Sequence, residues 1–464
     1  MNKVSLALTL LLATITSGCG GDTQDPPAPA PTPAPSPTPT PTPTPPPITQ
    51  LNLPRVGWEG GPDYYAAFPK AAAAGWTDPG FFPVGAWYMR ANQQSDIDTY
   101  KSLGFNATFE IEHPSSLPLF RSNGIHAIHG HHDSPNLSSE TVGWLLPDEA
   151  DMWGGAGDAA WTGNYPGQGP ICSPANASCG YTIMQTALNS LPAFDGRLMF
   201  SNFGKGVMFW QSDEQARRFV DDYTSAFSAD IYWYTDLDVC LHAQGPVRIP
   251  GTGPISEYTG LRNLTDAECR RASNYGVTMQ RMRDLDAFNV GRQPIYAFVE
   301  IGHPFNGQGR TITPDQMAGA VMSSLINEAR GIIYFKHNFG GACVTNDAII
   351  DGCSPATNAR LAEINGRIKT LAPVLNTQSY EWQFNAALDT MLKVQGGAVY
   401  VFAMIGPAPA PLTTQPFTFT LPPEIAHYRN VEVMFENRTL TAANGRFDDA
   451  FPHEWTYHVY RITP

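Results

Sequence analysis

The sequence predicts an α/β fold: a (β/α)₈ TIM barrel followed by a small C-terminal antiparallel β-sandwich. Two observations predict it. Between residues 81 and 341, short apolar runs alternate with longer segments that can hold helices, which is the pattern of βα repeats. Beyond a last helix, predicted over residues 361–370, short runs with a period of two follow one another, separated by turn residues.

Eight strands are predicted, at intervals that leave room for a helix between them. They cover residues 84–89, 107–111, 125–129, 143–146, 198–202, 231–235, 295–300 and 331–336. Gly104, Gly124 and Gly196 stand just before strands, where the end of a helix needs a residue that tolerates positive φ. Ser95 and Thr313 are placed to cap helices, and a proline after Thr313 suits the first helical turn. Eight strands with interposed helices favour a closed barrel over an open sheet.

The C-terminal strands are predicted over residues 391–394, 398–404, 417–421, 431–435 and 457–462. The predicted sandwich occupies residues 376–464, and the barrel occupies residues 51–375. Because no flexible linker separates the two, the first strands of the sandwich are expected to rest on the barrel.

The N-terminus predicts export. Lys3, the apolar run 4–13 and the small residues before Cys19 form the three regions of a signal peptide over residues 1–18, and the apolar run is too short to span a membrane. Residues 16–19 resemble a bacterial lipobox, which implies lipidation of Cys19. By the same resemblance, Gly20 favours the outer membrane. We expect a lipid-anchored protein of the cell surface or outer membrane, with a periplasmic or secreted protein as the alternative.

A Pro/Thr-rich tether is predicted over residues 19–50. Its residues from about 26 to 47 are almost entirely Pro, Thr and Ala, a composition that favours an extended polyproline helix. At about 3.1 Å per residue, this stretch would hold the barrel on the order of 60 Å from the lipid.

Composition narrows the choice of ligand. The formal charge is −14 and only 15% of residues are charged, which argues against nucleic acid as a partner and favours an uncharged ligand bound by aromatic and neutral polar groups. Apart from the lipid at Cys19, no contact with a membrane is expected. The chain is predicted to be a monomer without a cofactor.

Six cysteines remain once Cys19 is set aside, and an even number suggests disulfides in an oxidising compartment. Six cysteines allow 15 connectivities. Pairing between neighbours is the favoured one, and its pairs are Cys172 with Cys179, Cys240 with Cys269, and Cys343 with Cys353. No CxxC motif occurs, so a zinc site built from sulfur is not expected.

Two carboxylates, Glu149 and Glu300, each follow an apolar strand-like run, at the ends of predicted strands four and seven. A side chain at the C-terminal end of a barrel strand points toward the mouth where the βα loops gather. Two such groups can act on one bond from opposite sides, one as an acid and one as a nucleophile.

This arrangement resembles clan A of the glycoside hydrolases, over residues 55–375. In that clan an acid/base Glu lies on strand four, usually after Asn, and a nucleophile Glu lies on strand seven. The resemblance implies a retaining enzyme that cleaves a poly- or oligosaccharide, with Glu149 as acid/base and Glu300 as nucleophile. Asp148 stands where the clan has Asn. An endo-acting enzyme is favoured, because a surface tether suits a large substrate.

On this interpretation the pKa of Glu149 is raised by apolar neighbours such as Trp144 and by the charge of Glu300, while Glu300 stays ionised. Further polar and aromatic residues at strand ends are candidates for contacts to sugar hydroxyls and rings. The predicted substrate-binding residues are Trp87, Glu110, His113, His131, Asp148, Trp153, Tyr234, Asp236, His303 and His337.

Two alternatives remain open. His126, His129, His131, His132 and Asp133 crowd into eight positions, and such a cluster could bind zinc in a metal-dependent hydrolase. A non-catalytic carbohydrate-binding surface lipoprotein would keep the aromatic mouth without the acid chemistry.

Overall fold

The computed structural model of the chain describes residues 48–130, 138–153, 180–241, 263–287, 291–307, 309–412 and 415–464. The predicted signal peptide and nearly all of the predicted tether lie outside these residues. The fold below is that of the compact unit over residues 47–464. Within the described part of the chain, no helix has the length and apolar character needed to cross a membrane.

Eight parallel strands close into a barrel in sequence order, which confirms the predicted fold class. The last strand pairs with the first, with Val84 opposite Ile332. The strands are β1 (Val84–Met89), β2 (Ala107–Ile111), β3 (His126–His129), β4 (Thr141–Leu145), β5 (Leu198–Phe203), β6 (Ala226–Ala229), β7 (Ile295–Glu300) and β8 (Gly331–Phe335).

Helices surround the barrel. They are α1 (Pro69–Ala73), α2 (Gln94–Ser102), α3 (Leu117–Asn123), α4 (Ala150–Trp153), α5 (Gly180–Ser190), α6 (Asp213–Tyr223), α7 (Asp266–Cys269), α8 (Ser273–Asp286), α9 (Pro314–Ile326) and α10 (Pro355–Leu375). Thr313 caps α9 as predicted, because its side chain accepts a hydrogen bond from the N–H of Gln316. Gly124 ends α3 at φ 65°, where the left-handed backbone suits glycine.

The prediction of strand six was wrong. Residues 231–235 form a loop after β6, and the shorter run Ala226–Ala229 pairs with β5 and β7. The loop has the apolar sequence pattern of a strand because its side chains pack against helix α8. Trp233 is buried and donates its indole N–H to Thr278 of that helix at 2.9 Å. The polar residues after position 229 therefore lie at the mouth of the barrel.

Aromatic side chains fill the barrel interior. Phe109, Phe200 and Tyr296 meet one another with ring centroids 5.0 to 5.8 Å apart. The segment before β1 closes the N-terminal floor, where the hydroxyl of Tyr65 shares a hydrogen bond with that of Tyr296 at 2.7 Å. A packed interior and a sealed floor leave the C-terminal mouth as the open end of the barrel.

A C-terminal module of two antiparallel sheets follows α10, which confirms the predicted β-sandwich. A six-stranded sheet has the order β14-β13-β16-β11-β10-β9, and β12 pairs with β15 in a second sheet. The strands are β9 (Ser379–Tyr380), β10 (Leu388–Gln395), β11 (Ala398–Ile405), β12 (Phe417–Thr420), β13 (Asn430–Val433), β14 (Arg438–Thr441), β15 (Arg446–Asp449) and β16 (Tyr457–Thr463).

Both faces of the central strand β11 are buried. Tyr400, Phe402 and Met404 belong to the core that the barrel helices share, whereas Val399 and Val401 belong to the core between the two sheets. A strand covered on both sides needs apolar residues at every position rather than at alternate ones. The sheet therefore rests on the barrel, as expected from the lack of a linker.

Two of the three predicted disulfides lie among the described residues and are present. Cys240 pairs with Cys269, and Cys343 pairs with Cys353. The first joins the loop after β6 to helix α7, so it fixes the two segments that flank the C-terminal end of β6. The predicted pair Cys172–Cys179 lies outside the described residues.

Candidate active site

Two carboxyl groups meet at the mouth, at the ends of β4 and β6. The carboxyl groups of Glu149 and Asp230 are close neighbours, and the charge of Glu149 raises the pKa of Asp230 beyond the effect of burial. Glu149 is half-buried, and the neighbouring Asp148 stays open to solvent while accepting a hydrogen bond from the amide of Asn202 at 3.0 Å. Two carboxyl groups this close disfavour the ionisation of both.

The backbone at Glu149 is held in an uncommon conformation. Its φ is 49°, in the left-handed region, and its N–H donates to the carbonyl of Asn202 on β5 at 2.9 Å. Gly204 permits the approach of the side chain, since a Cβ there would lie 3.3 Å from Oε1 of Glu149 and 2.7 Å from the sulfur of Met152. The hydrogen bond to β5 and the space left by Gly204 therefore fix the position of this carboxyl group.

The environment of Glu149 favours its protonated form. Burial raises its pKa to about 8, and the charges of Asp148 and Asp151 add to the rise, while the hydrogen bond with Asp230 and the charge of Lys205 oppose it. The sequence analysis expected Trp144 to contribute to the raised pKa of Glu149. Trp144 instead packs against His129 and the guanidinium of Arg197.

Asp151 anchors the short helix that follows Glu149. Its carboxylate is buried and accepts hydrogen bonds from the N–H of Gly204 at 3.1 Å and of Val207 at 2.8 Å. Burial nevertheless raises its pKa to about 6. This contact ties the segment after β4 to the segment after β5, and so supports the carboxyl group between them.

Glu300 ends β7, at the same end of the barrel, and is fully buried. The hydroxyl of Tyr275 donates to both of its carboxylate oxygens at 2.7 Å, and the hydroxyl of Thr235 donates to Oε1 at 3.1 Å. Burial raises the pKa of Glu300 to about 7, and these hydrogen bonds limit the rise because they favour the anion.

The phenol of Tyr232 contacts Asp230 at the mouth. It donates to Oδ2 of Asp230 at 3.3 Å. Burial raises its pKa well above the ordinary value, and the charges of Asp230, Glu149 and Glu300 raise it further. Glu149 follows β4 and Glu300 ends β7, so both predicted catalytic residues lie at the C-terminal end of the barrel.

Three non-glycine residues at this mouth have a strained backbone. Tyr88, Glu110 and Glu149 have φ values of 56°, 63° and 49°, and each lies at or just after the C-terminal end of a barrel strand. Non-glycine residues in the left-handed region are uncommon and cluster at functional sites, where the surroundings must hold them in place.

An aromatic surface lies at the ends of β1 and β8. The ring of His337 contacts those of Tyr88 and Phe339 at centroid distances of 5.8 and 5.5 Å, and Tyr88 and Phe339 are about two-fifths exposed, at 37% and 41%. Burial lowers the pKa of His337 to about 3, so this ring is neutral. The expectation for Trp87 needs correction, because it packs inside the barrel against Phe298 and its neighbour Tyr88 carries the exposed ring.

The other predicted substrate-binding residues have varied surroundings. His113 is exposed, whereas Tyr234 and His303 are buried. Asp236 is buried and forms an ion pair with Lys205 at 2.6 Å. The carboxylate of Glu110 is buried and accepts hydrogen bonds from the N–H groups of Ile111 and Gly130, so it supports the ends of β2 and β3. Of these residues, only His113 presents a largely open side chain.

His303 lines a separate cavity of about 370 Å³, beside the ends of β7 and β8. Its Nδ1 shares a hydrogen bond with the hydroxyl of Thr311 at 2.8 Å, and its N–H donates to the side-chain oxygen of Asn338 at 2.8 Å. The disulfide between Cys343 and Cys353 borders the same cavity.

The predicted metal cluster is only partly described. The described members are His126 and His129. His126 accepts a hydrogen bond from the indole of Trp76 near the barrel floor, and both ring nitrogens of His129 are bonded, to Gly130 and Thr141. Among the described residues, no group of three His, Cys, Asp or Glu side chains could hold a metal ion. His131, His132, Asp133 and the side chain of Trp153 lie outside the description.

Several residues of this site were missed by the sequence analysis. Asp230 and Tyr232 were missed because strand six was placed five residues too late. Asn202 closes β5 and could have been found as a polar residue at a strand end. Tyr275 lies on a helix, and nothing in the sequence pattern indicates that its hydroxyl reaches Glu300.

No family model matches the sequence, and no curated protein matches it. Among solved structures, the chain is similar to a glycoside hydrolase at 10% identity and TM-score 0.45, covering 82% of this chain and 92% of that one. It is also similar to a family 5 glycoside hydrolase from Bacteroides vulgatus at 11% identity and TM-score 0.44, covering 82% and 89%.

A third similar structure is an α-amylase from Geobacillus thermoleovorans, complexed with acarbose, at 12% identity and TM-score 0.43, covering 82% and 98%. Similarity at this level carries no argument about the site. The fold class rests on the pairing of the eight strands, and the function rests on the side chains at their ends.

Proposed function

We propose that this protein is a glycoside hydrolase in which Glu149 is the acid/base. The observation that carries the proposal is the state of Glu149: a half-buried carboxyl group with a pKa of about 8, on a strained backbone at the mouth of the barrel. A general acid must hold its proton near neutral pH and release it to the substrate. Environments that raise the pKa of one carboxyl group serve this purpose in glycosidases.

Glu300 is the proposed nucleophile. Hydroxyl groups from Tyr275 and Thr235 support its anion, and its position at the end of β7 matches the clan A pattern. Its carboxylate is fully buried, so the proposed attack requires the mouth to open beside it when a sugar binds. A double displacement needs carboxyl groups roughly 5 to 5.5 Å apart in the complex with the sugar.

The proposed reaction has two steps. Glu149 gives its proton to the glycosidic oxygen as the bond to the anomeric carbon breaks, and a carboxylate oxygen of Glu300 forms an ester with that carbon. Water then attacks the anomeric carbon, Glu149 accepts a proton from the water, and Glu300 leaves as the carboxylate. The configuration at the anomeric carbon is retained.

The substrate is proposed to be a neutral poly- or oligosaccharide. The exposed rings of Tyr88 and Phe339 offer flat apolar faces at the ends of β1 and β8. The net charge of −14 disfavours anionic polymers. We also propose that cleavage is internal and that a lipid on Cys19 holds the enzyme at the cell surface. A Cys19→Ser variant tests the anchor, because loss of the lipid should move the protein from the membrane fraction to the soluble one.

Release of reducing ends from a panel of cellulose, xylan, mannan and starch tests the proposal. We expect hydrolysis of at least one polymer, and loss of kcat by about 10² to 10⁴-fold in the Glu149→Gln variant. On a 2,4-dinitrophenyl glycoside of the same sugar, the Glu149→Gln variant should lose far less activity in the first step, formation of the glycosyl ester. The dinitrophenolate leaving group needs no proton. The control is Glu214→Gln, since Glu214 is exposed on α6.

Two results would contradict the proposal. Equal losses on polymer and dinitrophenyl glycoside would remove Glu149 as the proton donor. Binding of a polymer without any release of reducing ends would favour a carbohydrate-binding protein.

A further inference from the structure

The C-terminal module reaches the mouth of the barrel through Glu454. One carboxylate oxygen of Glu454 accepts a hydrogen bond from the hydroxyl of Tyr234 at 2.6 Å, and the other accepts one from the N–H of Ala272 at 2.7 Å. Ala272 is the N-cap of α8, where the helix dipole favours a negative charge. A single side chain of the module therefore holds both the loop after β6 and the start of α8.

The same two elements hold Glu300. Tyr275, in the first turn of α8, donates to both oxygens of Glu300, and Thr235 donates from the loop. The two tyrosines are themselves in contact, because the N–H of Tyr234 donates to the hydroxyl of Tyr275 at 3.3 Å and their rings lie 5.8 Å apart. A displacement of Tyr234 would thus reach Glu300 through one intervening residue.

Further bonds fix the backbone of the loop against the end of α7. The guanidinium of Arg270 donates to the carbonyls of Trp233 and Asp236, and the disulfide Cys240–Cys269 joins the loop to α7. The contact with Glu454 acts instead on the hydroxyl of Tyr234, which the N–H of Ala272 also approaches.

The module is closely packed at this point. A Cβ on Gly319 of α9 would lie 2.7 Å from Cβ of Trp455, so only glycine allows this approach. Nearby, the guanidinium of Arg367 on α10 donates to the hydroxyl of Tyr457 at 3.0 Å. The residues that follow Glu454 are therefore packed against the barrel helices.

We propose that Glu454 is a positioning residue for Glu300, so that the C-terminal module is part of the catalytic centre. This inference rests on the proposed function. Glu454 fixes the Tyr234 side chain and the first turn of α8, and these in turn hold the hydroxyl of Tyr275 on the carboxylate of Glu300. The groups that face Glu300 are Tyr275 from α8, and Tyr232, Tyr234 and Thr235 from the loop.

Burial raises the pKa of Glu454, and the hydrogen bonds from Tyr234 and Ala272 and the charge of Arg271, beside the start of α8, oppose the rise. Replacing Glu454 by Gln leaves one acceptor oxygen for two donors, so one of the two hydrogen bonds is lost. If Tyr234 then moves, the hydrogen bonds that favour the Glu300 anion weaken and the pKa of Glu300 rises.

Kinetics of the full chain test this inference, with the dinitrophenyl glycoside that the wild type hydrolyses as probe. Glu454→Gln is expected to lower kcat by up to about 100-fold with little change in KM, and to move the acidic limb of the pH profile to higher pH. The control is Glu432→Gln, an exposed residue of the same module, which should match the wild type.

Tyr234→Phe provides the second variant, since it removes only the hydroxyl that contacts Glu454. Both variants should act through one hydrogen bond, so the double variant is expected to lose no more activity than Glu454→Gln alone. The role of Glu454 would be overturned if Glu454→Gln and Tyr234→Phe each kept the kcat and pH profile of the wild type while Glu300→Gln was inactive. Full activity in Glu300→Gln would instead overturn the proposed nucleophile, and the role of Glu454 with it.

Discussion

Glu149 and Asp230 bring two carboxyl groups close together at the mouth, at the ends of two strands that are not neighbours in the barrel. Burial raises the pKa of both groups, and the charge of Glu149 raises that of Asp230 further, so the two do not ionise together as separate exposed carboxylates would. The arrangement gives the barrel mouth a proton donor near neutral pH. It does so with residues that the sequence separates by the whole of β5 and α6.

The alkaline limb of the pH profile is predicted to depend on the neighbours of Glu149. The acid must be protonated, so activity should fall as pH rises past its pKa of about 8. Asp148→Asn removes a negative charge that raises this pKa, so the limb should move to lower pH. Lys205→Gln removes a positive charge that lowers it, so the limb should move to higher pH.

Profiles of kcat against pH for the two variants and the wild type provide the measurement. Asp148→Asn should also stay active, because asparagine keeps the oxygen that accepts from Asn202. If the alkaline limb moved in the same direction in both variants, these two charges would be excluded as the groups that control the pKa of Glu149.

The acidic limb is predicted to depend on Tyr275. Glu300 must be ionised to attack, so activity should fall as pH drops below its pKa of about 7. Tyr275→Phe removes hydrogen bonds that favour the anion, so the pKa of Glu300 should rise and the limb should move to higher pH. An unmoved acidic limb in the Tyr275→Phe enzyme would mean that another group controls it.

Affinity for oligosaccharide is predicted to depend on the exposed aromatic rings at the mouth. Phe339→Ala, in an inactive Glu149→Gln background, should weaken binding about tenfold, or about 1.4 kcal/mol, through loss of ring stacking. Titration calorimetry with an oligosaccharide of the hydrolysed polymer measures this. Phe194→Ala is the control, because Phe194 is 66% exposed but contacts Phe68 of the segment before β1. Equal effects of the two substitutions would argue against a stacking surface at Phe339.

Stability is predicted to depend on a buried ionic network between the barrel and the C-terminal module. Glu328 follows α9 and forms ion pairs with Arg330 at 2.9 Å and with Lys393 of β10 at 3.6 Å, and all three residues are buried. Glu328→Gln leaves two buried cations without this counter-charge. The expected loss in the free energy of unfolding is about 3 to 5 kcal/mol.

Denaturant unfolding measures this loss. The matched control is Glu432→Gln, which breaks an exposed ion pair with Arg461 and should cost far less. A loss in Glu328→Gln no larger than in the control would mean that the network contributes little.

The alternation of apolar runs and helices was sufficient to predict the barrel, because each strand of a closed parallel sheet is buried on both sides. It failed at β6, where a four-residue strand, Ala226–Ala229, is followed by a more apolar loop that covers α8. It also missed β14 and β15, whose exposed faces carry polar residues such as Thr439 and Arg446.

The candidate site was predictable where a polar residue directly ends a strand, as Glu300 does, or follows one closely, as Glu149 does. It was not predictable where a side chain arrives from a distant part of the chain. Tyr275 reaches Glu300 from a helix, and Glu454 reaches Tyr234 across 220 positions. Only the packing of the tertiary structure brings such groups together.

Trapping of the covalent intermediate tests the central claim most directly. The enzyme would be incubated with an activated 2-deoxy-2-fluoro glycoside of the sugar that it hydrolyses, digested and analysed by mass spectrometry. The account predicts one added glycosyl group on the peptide that contains Glu300, and no adduct in the Glu300→Gln variant. An adduct on another carboxylate, such as Asp230, or inactivation that leaves Glu300 unmodified, would contradict it.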